Sequence, residues 1–235
     1  MRVLVTGGAG FIGSVVAREL LGDGHRTRVI DSLVYGGHSL LGMYHQDDFD
    51  FVCGDIRSSE TVSKALEGVD AVVHLAAIVG DQACARNPEM ARDINLTASL
   101  QLFNLAQAHQ VKRFIFASTC SNYGKMSDAA EYLTENSELR PVSDYANSKV
   151  SVERELLAKS QASNSGITVI RLATVFGLSP RMRFDLTVND FVLQLYRNKK
   201  LMVYGEQFWR PYIHVVDAAR AILTILKLPV EKVGG

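Results

Sequence analysis

Tyr145 and Lys149 stand four residues apart in the stretch SDYANSK (143–149). On a helix that spacing puts both on one face, where an ammonium group favours the phenolate of a neighbouring tyrosine and draws its pKa toward neutrality. Such a pair can take a proton from a hydroxyl while hydride leaves the same carbon. The same spacing is common on solvated helix faces, so the pair alone leaves both readings open. A second pattern lies near the N-terminus, where Gly7, Gly10 and Gly13 follow an apolar run and open a helical one in VLVTGGAGFIGSVVAREL. Glycines so placed allow a tight turn with positive φ, close approach of a pyrophosphate and tight packing of helix on strand. The helix N-terminus then offers N–H groups and a positive dipole end to phosphates. Asp31 ends the next apolar run. A carboxylate there accepts hydrogen bonds from the adenosine ribose and repels a 2′-phosphate, and Ser32 after it is no arginine to welcome one; NAD is favoured over NADP.

Short β-branched runs alternate with helical spacing along most of the chain. RVLVT (2–6), TRVID (27–31), DFVCGD (50–55), DAVVHLAA (70–77), RFIFAS (113–118) and TVIRLA (168–173) read as buried strands. Helices are expected over Phe11–Leu21, Ser59–Leu66, Pro88–His109 and Tyr145–Ser160. The alternation predicts an α/β fold, a Rossmann-type doubly wound parallel sheet with helices on both faces. Loops fall at YGGHS (35–39), YGKMSD (123–128) and FGLSPR (176–181). Beyond 176 the rhythm weakens to a loop, a helix around Asn189–Arg197, a short strand at LMVYG (201–205) and a last helix over Val215–Leu226. Residues 1–175 are therefore expected to form an NAD-binding domain. Residues 176–235 should form a small, incomplete C-terminal substrate lobe interleaved with the last core elements, ending abruptly at EKVGG.

Composition excludes several classes. Lys+Arg and Asp+Glu both number 25, so no basic excess points to nucleic acid and no polybasic cluster to an anionic membrane. Hydrophobic residues at 47% and charged residues at 21% fit a soluble globular chain, and no apolar run reaches a membrane span. MRVLVTGGAG is broken by glycine too early for a signal peptide. Cys53, Cys84 and Cys120 are odd in number and far apart, which predicts neither a disulfide framework nor a metal site and suits the cytoplasm. The histidines show no metal-ligand spacing, and His74 reads as a packing and hydrogen-bonding residue. Cys120 reads as a small buried side chain or a nucleophile. Phe208 and Trp209 either border a substrate base or simply pack.

The motifs TGGAGFIG (6–13), GDIR (54–57), HLAA (74–77), FASTCSNYG (116–124), YANSK (145–149), RLATVFG (171–177) and RPYIHVVD (210–217) occur in this order. Together they resemble the extended short-chain dehydrogenase/reductases, especially the NAD-dependent nucleotide-sugar epimerase and dehydratase branch, over essentially the whole chain. The resemblance implies NAD as cofactor, held by Gly7, Gly10, Phe11, Ile12, Gly13 and Asp31. Asp55 and Ile56 would flank the adenine, Leu75, Ala76 and Ala77 would line the cofactor path, and Asn95 would support the site. It implies catalysis by Thr119, Tyr145 and Lys149, with the last two also on the nicotinamide ribose. Thr119, Asn189 and Arg210 would contact a nucleotide-diphosphate sugar, the arginine at its diphosphate. Three reactions share the scaffold: 4-epimerisation, 4,6-dehydration and 4-ketoreduction. In the dehydratases an Asp-Glu pair follows the threonine, where this chain has Cys120 and Ser121. Ketoreductases more often use NADPH, which Asp31 disfavours. A UDP-glucose 4-epimerase-like activity is expected, with a non-catalytic NAD-binding module as the competing class. AAIVGDQACARNPE (76–89) departs from the galactose epimerase pattern and leaves sugar and carbon open. Relatives continue past the last helix, and they pair as homodimers through helices like those around 90–109 and 145–160.

Overall fold

The computed structural model describes residues 1–124, 132–160, 163, 165–207 and 209–234. Part of the expected 123–128 loop, and Phe208, lie outside the described residues. Six strands, β1 (Arg2–Thr6), β2 (Arg26–Asp31), β3 (Phe49–Cys53), β4 (Ala71–His74), β5 (Arg113–Thr119) and β6 (Gly166–Leu172), form one parallel sheet in the order β3-β2-β1-β4-β5-β6. That is the expected Rossmann arrangement. Val3, Leu4, Val5, Ala71, Val72 and Val73 have no exposure at all, which explains why the central strands are apolar without alternation.

Helices α1 (Gly13–Gly22), α2 (Ser59–Leu66), α3 (Asp81–Arg86), α4 (Pro88–Arg92), α5 (Ser99–Ala108), α6 (Asp144–Lys159), α7 (Thr187–Asn198), α8 (Val215–Lys227) and α9 (Val230–Val233) accompany the sheet. One face is covered by α1 and α8, the other by α2, α5 and α6. In α8 the buried Val215, Ala218, Ala219, Ile222, Leu223 and Leu226 repeat at helical spacing, so this late element returns to the main core. Strand order reverses between β1 and β4, and their carboxyl ends open a crevice there, where an open α/β sheet takes its ligand.

Two local expectations need correction. LMVYG forms no strand; Met202, Val203 and Tyr204 are exposed, and an apolar run becomes a strand only where a partner edge and a burying surface exist. The small second sheet instead pairs β7 (Thr174–Phe176) with β8 (Tyr212–His214) in parallel. The helix expected over Pro88–His109 is α4 and α5 joined through a π-helical stretch at Asp93–Ala98, a wide turn that often marks a functional position.

Candidate active site

The cofactor side of the crevice is made by backbone. Gly7 takes φ +70°, and a Cβ there would lie 2.8 Å from the main chain of Ala76, so only glycine lets the ends of β1 and β4 meet. A Cβ on Gly13 would overlap the carbonyl of Gly7. The loop closes on itself through Gly10 N–H donating to Gly7 O at 3.1 Å, and no side chain caps the start of α1. The N–H groups of Ser14 and Val15 are taken by Gly10 O and Ile12 O, and the turn just before them, with no side-chain cap and a cradle that a single methyl would fill, offers main chain to a pyrophosphate, so these residues fit a dinucleotide.

Asp31 sits at the edge of that cradle. Its carboxylate accepts from the amides of Ala9 (3.0 Å) and Leu33 (2.8 Å), tying the glycine loop to the end of β2. Farther out, the Asp55 carboxylate is gripped by Arg57, whose Nη2 donates at 2.7 Å and which holds the carboxyl below its ordinary range. Ile56 is buried beneath it. The amides of Leu75 and Ala76 both donate to the Thr6 hydroxyl oxygen, at 3.2 and 3.1 Å. With its oxygen so occupied, Thr6 gives its own proton to His74 Nδ1 (2.7 Å), and His74 Nε2–H then donates to Ser99 (2.9 Å). Burial, with a smaller push from Lys149, holds the His74 pKa down to about 3, so the ring is neutral. It packs and hydrogen-bonds, as its sequence context suggested. Asn95, inside the π-helical stretch, receives Ile78 N–H at 2.8 Å and donates to Ile78 O at 2.9 Å, pinning the segment that follows β4.

The other side is made by side chains. Thr119 ends β5 and accepts from Ser121 N–H at 3.2 Å. Ser143 caps α6 by accepting from Ala146 N–H, which fixes Tyr145 in the first turn. One turn on, Lys149 is 2% exposed and donates from Nζ to Ala117 O at 2.8 Å. Its Nζ also lies 4.6 Å from the Phe116 ring centroid and 6.0 Å from that of Tyr145. Burial lowers Lys149 to about 8. The Tyr145 hydroxyl has no hydrogen-bond partner among the described residues, and burial pushes its pKa well up, with Arg183 pulling the other way. The expected lowering of the tyrosine by the lysine is therefore not what dominates here: desolvation wins, and the phenol rests protonated.

Sequence spacing gave no hint that Cys84, Asp81 and Arg183 come near enough to influence Tyr145. Nor did it indicate Ser179, which donates to Phe11 O at 2.7 Å and joins the later arm to the glycine loop. The Cys120 thiol is raised by burial, with Arg210 opposing, so it stays protonated, which favours packing over nucleophilic attack. Arg210 is exposed at the mouth, and Trp209 beside it is 87% exposed. Asn189 is buried, accepts from Gly177 N–H (3.0 Å) and donates to Arg183 O (2.9 Å), so its amide mainly closes the arm loop. Among the described residues no cluster of three or more His, Cys, Asp or Glu could hold a metal, and no helix is long and apolar enough to cross a membrane.

A model of the NAD dependent epimerase/dehydratase family matches residues 3–235. YtcB of Bacillus subtilis, an uncharacterized UDP-glucose epimerase, is 32% identical over 240 residues, covering 97% of this chain and 73% of that protein. The dTDP-glucose 4,6-dehydratase DesIV of Streptomyces venezuelae, solved with NAD and TYD bound, superposes with a TM-score of 0.85 at 31% identity, over 96% of this chain and 72% of that one. The UDP-glucose 4-epimerase of Thermotoga maritima, solved with UDP-glucose, gives 0.85 at 30% identity over 97% and 74% of the two chains.

Proposed function

The chain belongs to the NAD dependent epimerase/dehydratase family, and on that premise we propose that it is a nucleotide-sugar epimerase of the 4-epimerase kind, which oxidises a sugar hydroxyl and returns the hydride to the other face. The observation that carries this reading is the pair after Thr119. Expelling water from a keto-sugar needs a further acid and base at that place. Cys120, its thiol held protonated, and Ser121 supply neither. Epimerisation needs only one group that takes a proton and gives it back.

Each residue then has a task. The Gly7–Gly13 cradle and the start of α1 hold the pyrophosphate, and Asp31 accepts from the adenosine ribose. Bound NAD supplies the hydride acceptor. Tyr145 rests as the phenol, so it must first release its own proton; the phenolate, which the Lys149 ammonium one turn away favours, then takes the proton from the sugar hydroxyl and later restores it. Thr119, whose proton is uncommitted among the described residues, orients the reacting oxygen. Lys149 anchors the nicotinamide ribose and keeps a positive charge one turn from the phenol. Arg210 receives the sugar nucleotide's diphosphate, and Asn189 acts on it through the arm loop that carries Arg183. Two copies pair through α5 and α6, whose outer faces share a groove of about 790 Å³ lined by Leu96, Leu100, Leu105 and Arg154. The cytoplasm, where Cys53, Cys84 and Cys120 stay reduced, is the expected compartment.

The test begins with denaturing the purified protein and identifying the released dinucleotide by chromatography. Near-stoichiometric NAD is expected, followed by epimerisation of at least one UDP-, dTDP-, GDP- or CDP-sugar without added cofactor. Released NADP would defeat the Asp31 argument and favour a reductase; NAD with no turnover of any sugar nucleotide would make the chain a binding module.

A further inference from the structure

Helix α6 carries three polar side chains at four-residue intervals on the stripe that faces β5: Tyr145, Lys149 and Glu153. The first two belong to the proposed chemistry. Glu153 has no assigned role, yet it is 1% exposed. One of its oxygens accepts from Ser118 Oγ at 2.9 Å and from Asn122 Nδ2 at 3.1 Å. The other accepts from the Arg171 guanidinium, with Nε at 2.9 Å and Nη2 closer still. Arg171 lies opposite Ser118 in the β5–β6 ladder, and its Nη1 reaches Tyr123 Oη and Glu135 O, both at 2.8 Å. Ser118 precedes Thr119 and Asn122 follows it, so one carboxylate grips the chain on both sides of the threonine.

Two features make this grip unfavourable as a device for stability alone. A buried ion pair recovers little more than its own desolvation, and apolar residues of the same volume commonly do as well. The amide of Asn122 is also turned so that its N–H group faces the carboxylate and Ser118 Oγ (2.9 Å), leaving Asn122 Oδ1 buried with no partner among the described residues. An orphaned acceptor is tolerated where the position it secures matters.

We propose that Glu153, held by Arg171, is a positioning residue that sets Thr119 against Tyr145. Consecutive turns of α6 then fix consecutive residues of β5, the two that lead into Thr119: Lys149 holds Ala117 and Glu153 holds Ser118. The inference rests on the proposed roles of Thr119 and Tyr145.

Glu153→Gln keeps the side-chain shape and removes the charge facing Arg171; Ser118→Ala keeps the ion pair and removes one arm of the grip. Both are compared with the unmodified chain for NAD content, for kcat and KM on a sugar nucleotide, and for hydrogen exchange of peptides spanning 117–124. Glu153→Gln is expected to lower kcat at least tenfold with KM within twofold, NAD content unchanged, and exchange over 117–124 faster while residues 3–13 stay protected. Ser118→Ala should lower kcat about fivefold, and it carries the test alone should Glu153→Gln fail to fold. Wild-type kcat and unchanged local exchange in the folded variants would overturn the proposal, as would KM rising with kcat unchanged. Should the unmodified chain turn over no sugar nucleotide, the epimerase reading falls by itself; faster 117–124 exchange in the variants would still support the positioning of Thr119, and its absence would overturn that as well.

Discussion

The two walls of the crevice are built from different materials. The glycine loop between β1 and α1 works by leaving space: its main chain closes on itself and against Ala76, and a methyl at Gly7 or Gly13 meets backbone that cannot retreat. The wall made by β5 and α6 works by filling space with polar side chains. Lys149, Glu153, Asn122, Ser118 and Thr119 are all buried, each at a place where an apolar residue would pack with less desolvation. A backbone cradle is broken by adding an atom, and a side-chain wall by removing one. The two should fail differently, the first in binding and the second in turnover.

The largest separation is expected at Tyr145→Phe. Removing the proposed proton-transfer group should lower kcat by about a thousandfold, within the range for general acid–base catalysis. Melting temperature should stay near that of the unmodified protein, because the hydroxyl has no partner to lose among the described residues, and NAD content should hold because the glycine cradle and Asp31 are untouched. Measuring turnover and released NAD on one preparation decides it; equal loss of both would merge the two walls into one functional unit.

Gly13→Ala is the mirror case. Its Cβ would run into the Gly7 carbonyl, and the whole turn must open to accept it. NAD affinity should fall about a hundredfold, roughly 2.7 kcal/mol, as read by isothermal titration, with the 117–124 segment undisturbed in hydrogen exchange. Retained affinity would show that the cradle is less tightly closed than its geometry implies.

The walls share one buried group, and acid should find it. His74 links Thr6 on the cradle side to Ser99 behind Asn95, and its pKa is held near 3 against an ordinary 6.5. The unfolded chain therefore binds a proton in a range where the folded chain does not. Stability from this group is intact above about pH 6.5 and declines as pH falls toward 3. By pH 4.5 the loss is about 2–3 kcal/mol, measurable as a shift in the urea midpoint. His74→Gln, which cannot take up the proton, should flatten that limb of the profile; an unchanged slope would place the acid sensitivity elsewhere.

Legibility in the sequence follows the same division. The cradle is read directly, because a missing Cβ is a residue type and its spacing is short. The central strands are equally plain, since Val3–Val5 and Ala71–Val73 are apolar for a reason that needs no partner to be named. LMVYG shows the limit: the run looks like a strand, but Met202, Val203 and Tyr204 are exposed, and the small second sheet is made by β7 and β8 without it. The wall of β5 and α6 is legible only in part. Tyr145 and Lys149 announce themselves by spacing and by the motifs around them, whereas Glu153, Arg171 and Ser179 act through partners far away in the chain, as in the 165-residue separation of Ser14 and Ser179. The sign of the Tyr145 shift was also out of reach, because desolvation depends on what covers the ring, and spacing carries no record of that.

Asp31 is where the contrast can be sharpened last, since it is a side chain working inside the backbone wall. Its two oxygens already hold the amides of Ala9 and Leu33. Asp31→Asn keeps one of those bonds and removes the negative charge that repels a 2′-phosphate. The glycines and the helix start remain, so NAD binding should weaken only about tenfold, or roughly 1.4 kcal/mol. NADP binding should hold or improve, and the ratio of the two dissociation constants is the quantity to measure. A loss as large as that of Gly13→Ala would mean that the carboxylate shapes the loop through Ala9 as much as it selects the ribose. A small loss with a changed ratio would confine Asp31 to selection, and leave the cradle to the main chain alone.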